Sequence, residues 1–361
     1  MLINLSNSNI VNHLLKSQSV RPEQLYLHSG KRALHVSRIA SEGLFALECE
    51  LSQTALLYLS ACDLFEELDC CYKVLSKAMS DEDPDDFVPV IQQLVVRFKH
   101  IATTNFDLAY AYLAWHTSDD YPVMHHLIVA LTAAKIAMQS QMFCEEEVDS
   151  VVSAALTMNI SMLSLQARLR TQVESLSRDQ KEMIRKHPEQ SADKLQLLGV
   201  HDNAWLEVVR AHHELPDGSG YPRQIKCENP AAVLLSVCDS FNARMAQREY
   251  RKNFTAEQAV KDLFEIGDAV YSNFTAILLE ELGIYPAGSL VQLAGNQIGC
   301  SLIRGQTAIT PVVLVFRNLN KSGVGAEIVD TSVSGSGVNN AIPRRDLGDL
   351  PSLLELIARV V

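Results

Sequence analysis

The chain has 361 residues, of which 47% are hydrophobic and 20% charged, so it is long enough for two domains and has the composition of a soluble globular protein. Its net charge of −12 argues against general nucleic-acid binding, because proteins that bind polyanions gather Lys and Arg on one face. Apolar stretches such as Ala55 to Ala61 are too short to span a bilayer, and residues 1–19 lack a secretory signal pattern, which predicts a cytoplasmic location.

The first region, residues 1–104, has a helical pattern from about Arg21 on, with apolar residues recurring at helical spacing. The polar stretch of residues 80–86 contains Pro84 and predicts a turn between two helices. No residues here have the spacing of metal ligands or of a nucleophile and its base. We therefore predict a helical regulatory or dimerisation region, which could make the protein a homodimer.

The second region, residues 105–284, carries clear signals for the starts and ends of helices. In chain order they are Ser177 with Gln180 as a capping box, Gly199 at a helix end, Asn229 before Pro230 as an N-cap, Thr255 with Gln258 as a second capping box, and Gly267 and Gly283 at helix ends. Such closely spaced signals predict a compact all-helical bundle.

The third region, residues 285–361, changes character. Three runs rich in Val, Leu and Ile predict short strands, over Gly288 to Cys300, Ile309 to Phe316 and Ala326 to Val329. The Gly/Ser-rich stretch from Ser332 to Asn340 predicts a loop, and Leu353 to Val360 predicts a last helix. The fold class is therefore mainly α, with a small C-terminal β element.

One segment, residues 211–222, concentrates residue types that carry chemistry, with the sequence Ala-His-His-Glu-Leu-Pro-Asp-Gly-Ser-Gly-Tyr-Pro. His212 and His213 end a predicted helix, where adjacent side chains point about 100° apart, so we expect them to serve two neighbouring ions rather than one. Gly218 and Gly220 allow positive φ in the loop that follows, and Pro222 stiffens its exit. A His-His pair alone is usually structural, but this combination is specific.

The segment resembles the signature of the HD-GYP family, a branch of the HD phosphohydrolases, and the resemblance covers about half of the chain. Tyr121-Pro122-Val123-Met124-His125-His126 is similar to the family's first histidine helix, with either His125 or, one register on, His126 as the ligand. His187 matches the family's mid-domain histidine before proline, and Asp239 matches its late aspartate. The resemblance implies an all-helical HD-type bundle.

The chain departs from the family pattern at the residue pair that names the HD domain. Family members carry A-L-L-H-D-I-G-K where this chain reads Ala155-Leu156-Thr157-Met158-Asn159-Ile160-Ser161-Met162. Met158 thus replaces a histidine ligand, Asn159 the aspartate that bridges the metals, and Met162 the lysine that helps to hold phosphate. These family positions of the catalytic site are lost.

The lost residues matter because hydrolysis of a phosphodiester at a two-metal site needs ions about 3.5–4 Å apart. A bridging carboxylate offsets the repulsion between the ions, whereas an Asn amide supplies only a neutral oxygen, and a Met sulfur suits Cu(I) better than Mn²⁺ or Fe²⁺. The resemblance implies that a divalent ion, Fe or Mn, would be held by the remaining ligand-type residues, which are His125, His187, His212, His213 and Asp239.

Two functions follow from the resemblance. The first is a signalling module that binds cyclic-di-GMP or a partner, plausibly a diguanylate cyclase domain, with impaired catalysis. Its substrate or partner loop would consist of Asp217, Gly218, Gly220, Tyr221, Pro222 and Arg223. The alternative is an active metal-dependent phosphodiesterase that converts cyclic-di-GMP to linear dinucleotide or GMP. Metal content would discriminate between the two functions.

Overall fold

A computed structural model describes residues 26–29, 32–35, 53–80, 84–116, 121–246, 254–318, 326–348 and 350–360. Within these ranges there are twelve α-helices, which are α1 (Gln53–Ser80), α2 (Pro84–Thr104), α3 (Phe106–Trp115), α4 (Tyr121–Ser140), α5 (Glu145–Thr157), α6 (Leu163–Thr171), α7 (Arg178–Leu197), α8 (Asn203–Ala211), α9 (Pro230–Met245), α10 (Ala256–Phe264), α11 (Ala269–Leu282) and α12 (Leu353–Ala358). The mainly helical fold class is confirmed.

The predicted start signals of the helices are confirmed by hydrogen bonds. Ser177 and Gln180 form the capping box at the start of α7, and Thr255 and Gln258 form the one at the start of α10. The Asn229 side chain accepts hydrogen bonds from two backbone N–H groups in the first turn of α9. Pro230, the first residue of α9, has no backbone N–H and so leaves none unpaired at the start of the helix. These caps fix where the helices that carry the candidate site begin.

The C-terminal region forms five strands, which are β3 (Leu290–Leu293), β4 (Gln297–Ile303), β5 (Val312–Asn318), β6 (Glu327–Asp330) and β7 (Val338–Ala341). They pair as one antiparallel sheet in the order β6-β5-β4-β3-β7, which is followed by a 3₁₀ turn at Arg344–Asp346 and by α12. Strand β7 corrects the prediction of a loop over Ser332 to Asn340. As an edge strand, it needs backbone pairing with β3 on one side only and so tolerates polar side chains.

The helical prediction for residues 1–104 is confirmed from Gln53 on, with α1 ending at Ser80 and α2 beginning at Pro84, on either side of the predicted turn. It is wrong for two short antiparallel strands, β1 (Tyr26–Ser29) and β2 (Arg32–His35). Residues 1–25 and 36–52 lie outside the described residues. The domain boundaries at 104 and 284 remain predictions.

One hydrophobic core runs from α1 through the helical bundle to the inner face of the sheet and to α12. Helix α4 lies at its centre. Of the helices described, α4 is the one with the length and apolar composition to cross a membrane, and 78% of that stretch is buried inside the protein. The buried position of α4 matters for function because it presents His125 and His126 to the helices around it.

Candidate metal centre

The predicted ligand residues come together from four parts of the bundle. His125 lies on α4, His187 on α7, His212 and His213 directly after α8, and Asp239 on α9. His187 and His212 are fully buried, and the ligand atoms of His187, His212 and His213 lie within 4.8 Å of one another. This cluster could hold a metal ion.

The orientation of His187 follows from the proline after it. Pro188 has no backbone N–H, so within α7 the carbonyl of Ile184 lacks the hydrogen bond that residue 188 would otherwise donate. The Nδ1–H of His187 donates to this carbonyl instead, at 2.6 Å. Because a carbonyl can only accept, Nδ1 carries the proton and Nε2 of His187 keeps its lone pair.

His212 is oriented in the same way by the end of α8. The last carbonyls of a helix have no partner within the helix, and Val209 lies in the last turn of α8. The Nδ1–H of His212 donates to the Val209 carbonyl at 2.6 Å. Therefore Nε2 of His212 also presents a lone pair, and both histidines are held as ligands by local features of the chain.

The two Nε2 atoms of His187 and His212 face each other at 3.1 Å. Burial lowers the pKa of His187 to about 3 and also lowers that of His212, so both rings are neutral near pH 7. Two opposed lone pairs at this distance repel unless a cation lies between or beside them. Two nitrogens, each about 2.1 Å from one ion at angles of about 90–110°, lie about 3.0–3.4 Å apart, which matches the observed distance.

His213 and Asp239 complete the cluster. The His213 ring centroid is 4.2 Å from that of His212 and 5.0 Å from that of His187. One oxygen of Asp239, Oδ2, is 3.8 Å from Nε2 of His213. His212 is the C-cap residue of α8, and His213 follows it. Ligand atoms of these two histidines lie within 4.8 Å of each other and of one on His187, so one ion could reach both, and the number of ions that the pair serves remains a prediction.

His125 joins the cluster through Asp239, to which its Nε2 lies at 2.7 Å. Burial alone would raise the pKa of the Asp239 carboxyl, but this hydrogen bond and the histidines around it lower that pKa below its usual range. Asp239 therefore stays ionised and places a negative charge at this cluster. A buried charge of this kind is stable only when it is paired, with histidine N–H groups or with a cation.

His126, the alternative ligand, has both ring nitrogens engaged elsewhere. Its Nδ1 donates to the Pro122 carbonyl at 2.6 Å, and its Nε2 accepts from the backbone N–H of Asn159 at 3.2 Å. It therefore connects α4 to the segment after α5 that carries the departure from the family pattern. The choice between His125 and His126 as a ligand remains a prediction, and His125 is the one of the two that contacts Asp239.

The departing residues are buried beside this connection. Met158 is fully buried and belongs to the main hydrophobic core, and Asn159 is 2% exposed. The side-chain Oδ1 of Asn159 is buried with no hydrogen-bond partner. An unpaired buried oxygen costs on the order of 1–3 kcal/mol, so the chain itself supplies no partner that offsets the burial of this amide oxygen. Met162, at the start of α6, is half-buried and offers no charge for a phosphate.

The donor set fits one divalent ion and does not fit two. The atoms that could hold one ion are the Nε2 atoms of His187 and His212 and an imidazole nitrogen of His213. The Asp239 carboxylate lies beside this group, with Oδ2 3.8 Å from Nε2 of His213. A second ion would find only the neutral oxygen of Asn159 and His125, whose Nε2 is engaged with Asp239. Fe and Mn both accept such a nitrogen and oxygen set.

The loop of residues 217–223 packs against the cluster. Asp217 Oδ1 accepts hydrogen bonds from the Ser219 N–H at 2.8 Å and its hydroxyl at 2.7 Å, which closes the turn at Gly218, with φ of 82°. The ring of Tyr221 stacks on that of His213 with centroids 4.5 Å apart, and Pro222 follows it. The loop thus covers the cluster on the side of His213.

Gly220 is needed in this loop for space rather than for positive φ, which corrects the expectation for this residue. A Cβ at Gly220 would lie 2.3 Å from the His213 carbonyl oxygen and 2.5 Å from Glu214 Cα. The close approach allows the Tyr221 N–H to bond the same carbonyl at 3.0 Å. Glycine at this position therefore sets the distance between the loop and His213.

We expect Gly220→Ala to lower the free energy of unfolding by about 3 kcal/mol or more, because backbone atoms, which cannot rotate away, must shift. Gly337→Ala is the matched control, since a Cβ at Gly337 meets nothing within 4 Å. Urea denaturation followed by circular dichroism measures both. Equal midpoints for the two variants would show that the loop does not approach His213 this closely.

Glu214, which precedes the loop, and Arg223, which ends it, are in contact. Glu214, which sequence reasoning missed, is fully buried, and its carboxylate accepts hydrogen bonds from the backbone N–H groups of Arg223 and Ile225. The Arg223 side chain lies 2.9 Å from Glu207 and 3.5 Å from Glu189. Arg223 is therefore neutralised by carboxylates and is a poor anchor for an anionic nucleotide. The signal that could have identified Glu214 is its position directly after His212 and His213 in the sequence.

Comparisons with known proteins find one family model and several relatives. Residues 116–271 match the family model of the HD domain. The cyclic di-GMP phosphodiesterase PA4108 of Pseudomonas aeruginosa is 28% identical over 224 residues, which cover 61% of this chain and 54% of that protein. The cyclic di-GMP phosphodiesterase PdeB of Borreliella burgdorferi is 21% identical over 184 residues, 50% of this chain and 48% of that protein. The chain spans about half the length of these curated relatives.

A solved structure is also similar. The HDG"Y"P protein Bd1817 from Bdellovibrio bacteriovorus aligns with a TM-score of 0.46 and 13% sequence identity, over 77% of this chain and 80% of that chain.

Proposed function

We propose that this chain, whose residues 116–271 match the family model of the HD domain, acts in cyclic-di-GMP signalling as a module of the HD-GYP type that binds one divalent ion and the nucleotide but hydrolyses it poorly. The observation that carries this proposal is the pair of opposed Nε2 atoms of His187 and His212, 3.1 Å apart. They support one ion, while Met158 and Asn159 leave no charged ligand for a second.

The residues of the site would have distinct tasks. His187, His212 and His213 would hold the ion, Fe or Mn, and Asp239 would supply the negative charge that neutralises part of it. Such an ion, when bound, polarises a phosphate oxygen and offsets its charge. His125 would keep Asp239 oriented through the 2.7 Å hydrogen bond. Hydrolysis at a two-metal site needs a second cation about 3.5–4 Å from the first, which this donor set does not support.

The second candidate is an active phosphodiesterase that works with a single ion. This candidate is favoured because all five ligand-type residues are present and lie close together. A site without a catalytic role would not need to keep them. The first candidate is preferred because Met158 is packed into the hydrophobic core, where it offers no hard ligand.

We also propose that the loop of residues 217–223 is the partner contact, plausibly for a diguanylate cyclase domain, because Asp217, Ser219 and Arg223 in it are exposed. A homodimer and a cytoplasmic location belong to the same proposal. Analytical ultracentrifugation of the full chain tests the dimer, and co-sedimentation with a diguanylate cyclase domain tests the loop, with Asp217→Ala as the loop variant.

The experiment that separates the two candidates loads the purified chain anaerobically with Mn²⁺ or Fe²⁺, adds cyclic-di-GMP and follows the products by chromatography. We expect binding in isothermal titration and turnover at least about 100-fold below that of a two-metal relative, since several kcal/mol of transition-state stabilisation are absent. Rapid formation of linear dinucleotide or GMP, abolished by His212→Ala, would establish the active enzyme. Absence of cyclic-di-GMP binding would overturn the proposed ligand.

A further inference from the structure

Two tyrosines of α3 make hydrogen bonds to different neighbouring helices. Because they are two residues apart on a helix, their side chains point about 200° away from each other. The Tyr112 hydroxyl donates to Asp69 Oδ1 on α1 at 2.5 Å. The Tyr110 hydroxyl donates to Asn242 Oδ1 on α9 at 2.9 Å, and Asn242 is three residues from Asp239. Tyr110 is therefore connected to the helix that carries the carboxylate of the candidate metal centre.

A buried polar network begins at Tyr110 and joins three helices. The Asn242 amide accepts from Tyr110 and donates through Nδ2 to the Thr132 hydroxyl on α4, at 3.2 Å. The same Nδ2 donates to the Cys238 carbonyl at 2.9 Å. The Thr132 hydroxyl in turn donates to the Ile128 carbonyl at 2.7 Å. Since Tyr110, Asn242 and Thr132 are all buried, the network connects α3, α4 and α9 inside the bundle.

Each hydrogen bond in this network has a fixed direction. A backbone carbonyl can only accept, so the Cys238 carbonyl requires the amide nitrogen of Asn242 on its side. The amide oxygen then faces Tyr110, whose hydroxyl must donate. The Thr132 hydroxyl uses its proton on the Ile128 carbonyl and offers a lone pair to Asn242. A buried network whose donors all have acceptors holds its side chains in one arrangement.

The network lies on the same faces of α4 and α9 as two residues of the metal centre. On α4, Thr132 follows His125 by seven residues, which is two helical turns, so both side chains point to the same side. On α9, Asn242 follows Asp239 by three residues and is its neighbour on the helix surface. Side-chain hydrogen bonds therefore join α4 and α9 at two points, His125 with Asp239 at 2.7 Å and Thr132 with Asn242 at 3.2 Å.

The second of these junctions restricts the rotation of α9. One hydrogen bond between two helices can act as a pivot, whereas two at different heights oppose rotation. A rotation of roughly 10° about a helix axis moves a side-chain atom, about 6 Å from that axis, by about 1 Å. A shift of this size matters, because a metal site that is about 1 Å too loose loses its function. The bond between Thr132 and Asn242 opposes such a rotation, and Tyr110 holds Asn242 from a third helix.

We propose that Tyr110, Asn242 and Thr132 are positioning residues of the metal centre, which hold α9 against α4 so that the Asp239 carboxylate stays beside the three histidines. They act through Asp239 and His125 rather than as ligands. The inference rests on the proposed function, because it concerns the ion that this function requires. It gives α3, which ends directly before the residues matched by the HD-domain model, a part in the site.

The test measures the affinity of the full chain for Mn²⁺ alone, by isothermal titration calorimetry without nucleotide. We expect Tyr110→Phe to weaken Mn²⁺ binding by about tenfold, the lower end of the usual cost of losing a hydrogen-bonded partner behind a metal site. Tyr112→Phe is the matched control, since it removes one tyrosine hydroxyl bond from the same helix on the side of α1. Both variants should melt at a lower temperature than wild type, and only Tyr110→Phe should lose affinity for Mn²⁺.

A second pair of variants separates the hydroxyl of Thr132 from its packing. Thr132→Val keeps the shape of the side chain but offers no acceptor to Asn242, and we expect it to weaken Mn²⁺ binding by about tenfold. Thr132→Ser keeps the hydroxyl, so its affinity should stay close to that of wild type. In chain loaded with Co²⁺, which takes similar ligands, the visible absorption spectrum should change in Tyr110→Phe and Thr132→Val and stay as in wild type in Tyr112→Phe and Thr132→Ser.

The outcomes separate the inference from the proposed function. Equal losses of affinity in Tyr110→Phe and Tyr112→Phe would overturn the inference, because general destabilisation would then explain both. Unchanged affinity in Tyr110→Phe and Thr132→Val, in a chain whose wild type binds Mn²⁺, would also overturn it and leave the proposed function standing. A wild-type chain that binds no Mn²⁺ would refute the proposed function and the inference together.

Discussion

Replacing Met158 with histidine and Asn159 with aspartate in one variant is expected to raise the metal content of the chain from about one to about two ions. The aspartate would supply the negative charge that lets two cations approach each other, and it would replace the amide oxygen that is now buried without a partner. The histidine would replace a thioether that binds Mn²⁺ and Fe²⁺ poorly. Phosphodiesterase turnover should rise by about 100-fold or more, since tenfold in rate corresponds to about 1.4 kcal/mol.

The measurement is elemental analysis of anaerobically purified protein, with turnover of cyclic-di-GMP followed in parallel. Asn159→Asp alone separates the contribution of charge from that of the added ligand and should give an intermediate metal content. Because Met158 is fully buried in the core, circular dichroism must first show that the double variant is folded. A folded double variant with the metal content of the parent would mean that Met158 and Asn159 do not occupy the positions of the missing pair.

His212→Ala is expected to abolish metal binding, lowering the metal content at least about tenfold. His212 offers a lone pair that the Val209 carbonyl holds in place, and the site has few other donors. A bound ligand stabilises the folded state by about 2.7 kcal/mol when its concentration is 100 times its dissociation constant. Wild type should therefore melt several degrees higher with Mn²⁺ than without it, and the variant should show no such difference.

His201→Ala is the matched control for this experiment, because His201 is exposed in the connection before α8. Its melting temperature should respond to Mn²⁺ as that of wild type does. Comparison with and without metal within each variant removes the cost of the lost side chain from the result. If His212→Ala kept both its metal and its stabilisation by Mn²⁺, the ion would lie elsewhere in the chain.

Much of the candidate site could be predicted from the sequence because local rules determine it. The capping box at Ser177 and Gln180 places the start of α7, and the N-cap at Asn229 places the start of α9. The proline after His187 has a local effect too, since it leaves free the carbonyl that orients the ring. Features that depend on one turn of backbone can be predicted, because a few adjacent residues determine them.

Other features depend on contacts between distant parts of the chain, which one sequence does not reveal. His125 and His126 are equivalent by type, and contacts with distant residues distinguish them: His125 bonds Asp239, 114 residues away, and His126 bonds the backbone of Asn159, 33 residues away. The Glu214 carboxylate accepts hydrogen bonds from the backbone N–H groups of Arg223 and Ile225, so its role depends on how the chain folds back after the loop. The sequence predicts a loop where β7 forms, because β7 depends on its pairing with β3 rather than on its own composition.

The packing of the sheet against α3, beside the candidate metal centre, could not be expected from the sequence. Arg344 and Trp115 are separated by 229 positions and meet only because the sheet packs against α3. Neither residue belongs to a motif. The β element, which had no role assigned from its sequence, thereby supplies a charged side chain next to the HD domain.

We propose that the chain holds one divalent ion at His187, His212 and His213, beside Asp239. The metal content of wild-type protein, purified anaerobically from cells supplied with iron and manganese and measured by inductively coupled plasma mass spectrometry, tests this proposal. We expect about one ion per chain, lost in His212→Ala and retained in His201→Ala. Two ions per chain, or one ion that His212→Ala leaves in place, would contradict it.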